Sequence, residues 1–143
     1  MAKLKRAGSL NGTPSIIQKW CVNASQTVLE GSIVVVNSGK LDVGAAAASA
    51  GTVAGVALDA LTTGTAVDEE DTIRVDVNPA STYWIDYTGG TLDDADIGTK
   101  FDLDDAQTVD LTDTTDGYCM YVGGDDTIED RAKFQILGYV QNV

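Results

Sequence analysis

Three clusters of carboxylates offer this chain its most evident chemistry. Asp93, Asp94 and Asp96 form the first; Asp102, Asp104 and Asp105 the second; Asp125, Asp126, Glu129 and Asp130 the third. Calcium binding needs roughly six to eight oxygen ligands drawn together by a tight turn. The stretch from Asp93 to Asp104 has the length of an EF-type loop, but its carboxylates fall out of register and no amphipathic helix flanks it. A glycosidase needs two carboxyls roughly 5–9 Å apart across a cleft, one with a raised pKa. These acids sit in polar turns, where the pKa stays low. Solvated turns therefore explain them better than ligation or catalysis, and the expectation is no metal and no cofactor.

Other catalytic patterns are weaker still. Gly123-Gly124-Asp125-Asp126 lacks the Lys-Ser/Thr of a phosphate loop and would repel phosphate. Gly51 to Gly55 lacks the third glycine and the helix of a dinucleotide site. The chain has no histidine, which removes the commonest neutral-pH acid/base and metal ligand. No residue set places a nucleophile beside a base, so the expectation is a protein that is not an enzyme. Cys21 and Cys119 belong to no CxxC pair. They read as reduced and mostly buried thiols, although spacing alone leaves a bridge between them open.

Tyr83, Trp84, Tyr87, Tyr118 and Tyr121 have two readings: core packing of cross-strand aromatics, or a stacking platform for sugars or bases. Nucleic-acid platforms pair aromatics with basic grooves, and here the neighbours are acidic. Trp20 reads either as core or as an interface anchor.

Charge sorts the chain into two parts. Of its acidic residues, all but Glu30 lie between Asp42 and Asp130, and the net charge is −13. Such a body repels nucleic acid and anionic lipid. Lys3, Lys5 and Arg6 form a basic cluster at the start, with Leu4 and Leu10 interleaved. Residues 1–14 carry Gly8, Ser9, Asn11, Gly12, Thr13 and Pro14 without an apolar period, and so read as an extended arm. The arm has no apolar run of a secretory signal, and Gly44 to Leu58 is too short and broken to span a bilayer. A soluble protein is expected, with residues 15–143 as one domain.

That domain reads as a succession of short strands. Ile16, Ile17, Trp20 and Val22 lie in the first, and Ser32-Ile33-Val34-Val35-Val36 forms the second, ending at the tight-turn signal Asn37-Ser38-Gly39-Lys40. Leu41 and Val43 begin a return strand. Ala45–Ala50 reads as a small-residue loop or single turn, and Thr52 to Leu58 as a buried strand. Thr72 to Val77 alternates, placing Ile73, Val75 and Val77 on one face and Arg74 and Asp76 on the other. Ser81 to Tyr87, Lys100 to Leu103, Thr108 to Leu111, Tyr118 to Val122 and Phe134 to Val140 complete the set. The expected fold is all-β: an antiparallel β-barrel or sandwich with an extended N-terminal arm.

In order, these runs resemble a known family. Gly31-Ser32-Ile33-Val34-Val35 leads to a turn, then to Val53-Ala54-Gly55-Val56-Ala57-Leu58-Asp59-Ala60 and the strand Ile73-Arg74-Val75. After Tyr83 to Tyr87 come Gly90-Thr91-Leu92 and Ile97-Gly98-Thr99-Lys100-Phe101. Over roughly residues 28–140 this pattern is similar to the small β-barrel capsid decoration (cement) proteins of tailed bacteriophages. The resemblance implies a virion protein on the outer capsid surface, assembled in the host cytoplasm. It also implies a homotrimer that bridges neighbouring major capsid protein subunits, with no nucleic-acid or membrane partner. N-terminal arms often reach across the shell in this class, so Lys3, Leu4, Lys5, Arg6, Leu10 and Trp20 are the candidate capsid interface. Arg74 and Lys100 match no motif of the family. The stretch Leu103 to Asp130 reads as a long acidic insert that leaves the place of the last strands open. The alternatives are another β-structural virion component, such as a head fibre base or tail protein, and a carbohydrate- or calcium-binding β module.

Overall fold

A computed structural model describes residues 5–44, 52–115, 117–126, 131–137 and 139–140. The expected loop at Ala45–Ala50, and Lys3 and Leu4 of the arm, lie outside the described residues. Thirteen strands are described: β1 (Lys5–Ser9), β2 (Ile17–Cys21), β3 (Thr27–Val28), β4 (Ile33–Asn37), β5 (Lys40–Val43), β6 (Val53–Ala57), β7 (Leu61–Thr62), β8 (Thr72–Asp76), β9 (Ser81–Thr88), β10 (Lys100–Asp105), β11 (Thr108–Asp110), β12 (Cys119–Asp126) and β13 (Arg131–Ile136). The all-β expectation holds.

One sheet runs β1-β9-β11-β10-β12-β13, and β13 returns to pair with β9, closing five strands into a barrel. The long strand β9 makes closure work. One of its edges carries β1 along Ser81 to Trp84 and β11 along Asp86 to Thr88. Its other edge carries β13 from Thr82 to Asp86. The chain leaves β9, passes the place where β11 will lie, and forms the β10–β11 hairpin backward into the gap. The β11–β9 pair is consequently parallel, a departure from the purely antiparallel expectation. Alternation then fills the barrel. Tyr83, Ile85 and Tyr87 of β9 meet Ala132, Phe134 and Ile136 of β13, with Phe101, Leu103, Val109, Cys119 and Tyr121 from the rest. Each Val, Leu, Ile or Phe among them, fully buried, is worth about 1.5–3 kcal/mol.

The acidic stretch after Leu103 is no insertion in this fold. It supplies the end of β10, all of β11 and β12, and without it the barrel would not close.

The second sheet runs β2-β8-β6-β4-β5. It curls until Val22, just past β2, bridges Leu41 of β5. Side chains seal the seam, because Gln26 Oε1 accepts from Val43 N–H at 3.0 Å and Asn23 Nδ2 donates to Asp42 at 2.8 Å. Inside it lies a separate core containing Val22, Val34, Leu41, Ile73, Val75 and Val77. The turn between β4 and β5 has Ser38 at φ 53° and Gly39 at φ 81°, the two-residue hairpin geometry foreseen from Asn37 to Lys40.

Strands β4 and β6 serve both cores. Ile33, Val53 and Val56 face the barrel, while Val34, Ala54 and Ala57 face the second core. That double duty explains why β6 is buried at every position.

Candidate interaction surfaces

The segment expected to be an arm is bound to the body along its described length. Lys5–Ser9 adds to the edge of β9, with Arg6 opposite Tyr83 and Lys5 opposite Trp84. Arg6 turns inward. Its Nε lies 3.6 Å from Asp76 Oδ2 and donates to Ser81 Oγ at 3.1 Å, and its Nη2 donates to the Thr13 carbonyl at 2.8 Å.

Asp76 is the centre of this arrangement. It is 1% exposed, against the expectation that it would share the outer face of its strand with Arg74. Arg74 does face outward and forms an ion pair with Asp59 at 2.8 Å, which holds the Asp59 carboxyl below its usual range. Asp76 instead lies where β8 ends beneath β9 and β1. A buried carboxylate must be satisfied by donors. Ile16 N–H at 3.3 Å, Asn78 N–H at 3.0 Å, Ser81 Oγ at 3.0 Å and the Tyr83 hydroxyl all donate to it. Burial, then Tyr139 and Asp76, push the Tyr83 phenol far above its ordinary value, so it remains a donor.

Asn78 extends the network by donating to Thr13 Oγ1 at 2.8 Å and the Pro14 carbonyl at 2.9 Å. Leu10 N–H bonds the Ala80 carbonyl at 2.9 Å, and Val77 N–H bonds Ile16 O at 2.8 Å. Arg6 and several backbone groups of this strap thus bond into the body, while Ser9, Asn11 and Thr13 bond one another at the surface. The strap's aliphatic side chains point out: Leu10 is 57% exposed and Ile17 53%, with Ile16 at 36%. Trp20, by contrast, is half-buried against the second core, opposite Ile73, and its indole N–H is buried without a hydrogen-bond partner among the described residues.

The acids carry the turns. Asp93 caps the short 3-10 turn Asp94–Asp96 by accepting from Ala95 N–H at 2.8 Å, and Asp96 reaches back to Asp93 N–H at 2.9 Å. Asp105, Asp110 and Asp113 each accept a backbone N–H two residues on. The Thr112 hydroxyl and N–H beside Asp110 hold its carboxyl below the usual range. Asp102 is buried and accepts Leu103 N–H at 2.8 Å.

The aromatics divide. Tyr83, Tyr87, Tyr118 and Tyr121 are buried in the barrel core, so they form no platform. Trp84 alone of the five faces outward. Lys133 Nζ lies 5.0 Å and Arg131 Cζ 5.3 Å from its ring centroid, close enough for cation–π attraction. The sequence reading passed over Arg131 and Lys133. The signal was present in the alternation Arg131-Ala132-Lys133-Phe134-Gln135-Ile136, which puts every second, polar residue outside.

Cys119 is buried in the barrel and Cys21 is half-buried at the edge of the second sheet, both as free thiols. An open cavity of about 320 Å³ lies between Thr27, Leu29 and Ser32 on one side and Asp104, Asp105 and Gln107 on the other. The Asp105 carboxylate there is already bonded to Gln107 N–H.

No protein-family model matches the chain, and no curated protein matches its sequence.

Proposed function

We propose that this protein is a non-enzymatic virion component: a decoration protein on the outer surface of a phage head that stabilises the shell by bridging major capsid protein subunits. The observation that carries the reading is the pinned strap. Leu10, Ile16 and Ile17 project from a segment whose backbone is already bonded to the Asp76–Ala80 corner. A docking strip ordered before its partner arrives spares the ordering cost of binding. Apolar side chains at the centre of a patch with a polar rim are what a protein interface requires.

Of the candidate interface residues, Arg6 and Trp20 serve the fold and Leu10 stays exposed; Ile16 and Ile17, which the sequence placed in the first strand, join Leu10 in the docking strip. The acidic turns face solvent on the assembled particle and keep particles apart. Several copies on one shell add avidity, since each contact holds the next close to its site.

The test uses undecorated heads mixed with wild-type protein and with the Leu10→Asp/Ile17→Asp variant. Occupancy is counted by electron cryo-microscopy. The wild type should decorate the outside of the shell at symmetry-defined positions, and the variant should lose most of that occupancy. A wild type that leaves heads bare sinks the capsid reading; a variant that decorates as well as the wild type sinks the strip.

A further inference from the structure

Four asparagines lie among the described residues, and three of them have the side-chain amide nitrogen tied down. Asn23 Nδ2 donates to the Asn37 carbonyl at 3.1 Å and to Asp42 at 2.8 Å. Asn37 Nδ2 donates to Asp42 Oδ2 at 2.8 Å, and Asn78 Nδ2 donates to Thr13 Oγ1 and the Pro14 carbonyl. Asn11 is arranged the other way round. Its Oδ1 accepts from Thr13 Oγ1 at 2.6 Å, Thr13 N–H at 3.2 Å and Ser9 Oγ at 3.3 Å, while nothing among the described residues bonds its Nδ2.

Asn11 is followed by Gly12, the one Asn-Gly pair in the chain. Gly12 is exposed at φ +74°, and a Cβ there would meet nothing within 4 Å. Its backbone nitrogen therefore stands beside the Asn11 side chain with no β-carbon to crowd it. No bond among the described residues holds its N–H. The other three differ here too. Asn23 precedes Ala24, Asn37 precedes Ser38 in the tight hairpin, and Asn78 precedes Pro79, which has no N–H to lose.

We infer that Asn11 deamidates spontaneously, with the Gly12 nitrogen as the nucleophile and water as the co-reactant. Hydroxide removes the Gly12 N–H proton, and the nitrogen attacks Asn11 Cγ. A Cγ–N bond forms, the Cγ–Nδ2 bond breaks, and Nδ2 leaves as ammonia with a proton from water. The reacting atoms are neighbours in one chain and need no encounter. Negative charge develops on Oδ1, where the Thr13 N–H and the Thr13 and Ser9 hydroxyls already donate. Water then opens the cyclic imide at either carbonyl, leaving aspartate or isoaspartate, with no electrons gained or lost.

Isoaspartate routes the backbone through the side chain and adds a negative charge beside Leu10. Thr13 then loses the acceptor that Asn11 provides. Thr13 is also the residue whose carbonyl accepts from Arg6 and whose hydroxyl accepts from Asn78. Conversion thus loosens the strap at its exposed bend. The chemistry belongs to the chain itself and does not rest on the capsid reading.

The test incubates the full-length protein at neutral and at mildly alkaline pH. Peptide mapping follows the mass gain of amide-to-acid exchange at each asparagine. Asn11 should convert at least about tenfold faster than Asn23, Asn37 or Asn78, and at no less than about one-tenth the rate of the free peptide of residues 8–15. Isoaspartate should be among the products, and the rate should rise with pH because the attacking nitrogen must lose its proton. In the isoaspartyl protein, hydrogen exchange at the Leu10 and Thr13 amides should be at least about tenfold faster than in fresh protein. An Asn11 that keeps its amide, or that converts more slowly than these limits, overturns the inference. Exchange unchanged in the converted protein refutes the loosening of the strap.

Discussion

Arg6 and Asp76 meet beneath β1, with Arg6 Nε 3.6 Å from the Asp76 carboxylate, and this contact ties the start of the chain to the corner between its two sheets. The two partners are unequal. Asp76 is 1% exposed and gathers four further donors, whereas Arg6 retains some exposure and bonds three groups.

That inequality sets the first prediction. Asp76→Ala leaves Arg6, Ser81 and Tyr83 without their shared acceptor and should cost about 3–5 kcal/mol, the range for breaking a buried ionic contact. Arg6→Met should cost clearly less, since Asp76 keeps its hydrogen-bond donors. Urea unfolding of both variants measures the difference. Equal losses, or a larger loss for Arg6→Met, would contradict the assignment of Asp76 as the centre.

A second prediction concerns the backbone at the same corner. Gly55 has φ +155°, and a Cβ there would lie 2.0 Å from the Asp76 carbonyl oxygen. Backbone cannot yield as a side chain tip can, and both cores share β6. Gly55→Ala should therefore destabilise by more than about 3 kcal/mol or abolish folding. Gly39→Ala at φ +81°, with nothing within 4 Å, should cost only about 1–2 kcal/mol. Thermal melts of the pair would test the ranking, and similar losses would refute the close approach.

Much of this architecture was legible because alternation and turn chemistry are local. Asn37 to Lys40 specified its hairpin, and the runs at Lys100, Thr108 and Tyr118 located β10, β11 and β12. Strand β1 was not legible. Lys5 to Ser9 has no apolar period, and it becomes a strand only because β9 offers it an edge. The two-residue strands β3 and β7 are too short to leave a pattern. Asp76 was misplaced for a related reason. Period-two alternation gives its face of β8 but not what covers that face, and here the cover comes from the chain's first residues. The barrel aromatics followed the core reading, while Trp84 took the outer register and drew Arg131 and Lys133 from a strand far along the chain.

Alkaline pH should unfold the protein through its buried acids. Burial raises Tyr83, Tyr118, Tyr139 and Cys119 well above their ordinary values of 10.0 for tyrosine and 9.0 for cysteine. Above those values the unfolded chain releases protons that the folded chain retains, so stability is full below about pH 9 and falls as pH rises further. Each such group contributes a slope of about 1.4 kcal/mol per pH unit once its unfolded form is ionised. Urea midpoints between pH 8 and 11 should fall, and the tyrosinate absorbance of Tyr83, Tyr118 and Tyr139 should rise with unfolding and not before it. Midpoints flat to pH 11 would show that these groups are not buried as described.

The strap invites a test that separates holding the fold from holding a partner. Deleting residues 2–12 removes Arg6 and the Leu10–Ala80 bond together, so it should lower stability by about 2–4 kcal/mol whether or not the strap binds anything. Lost binding after that deletion would therefore be ambiguous. Leu10→Asp/Ile17→Asp changes only side chains that are 57% and 53% exposed, and its stability should stay within about 0.5 kcal/mol of the wild type per site. The deletion should thus show a lowered urea midpoint, while the double variant shows an unchanged midpoint with weakened docking. If the double variant instead unfolds early, Leu10 and Ile17 belong to the packing of the body and the strap has no free apolar face to offer a partner.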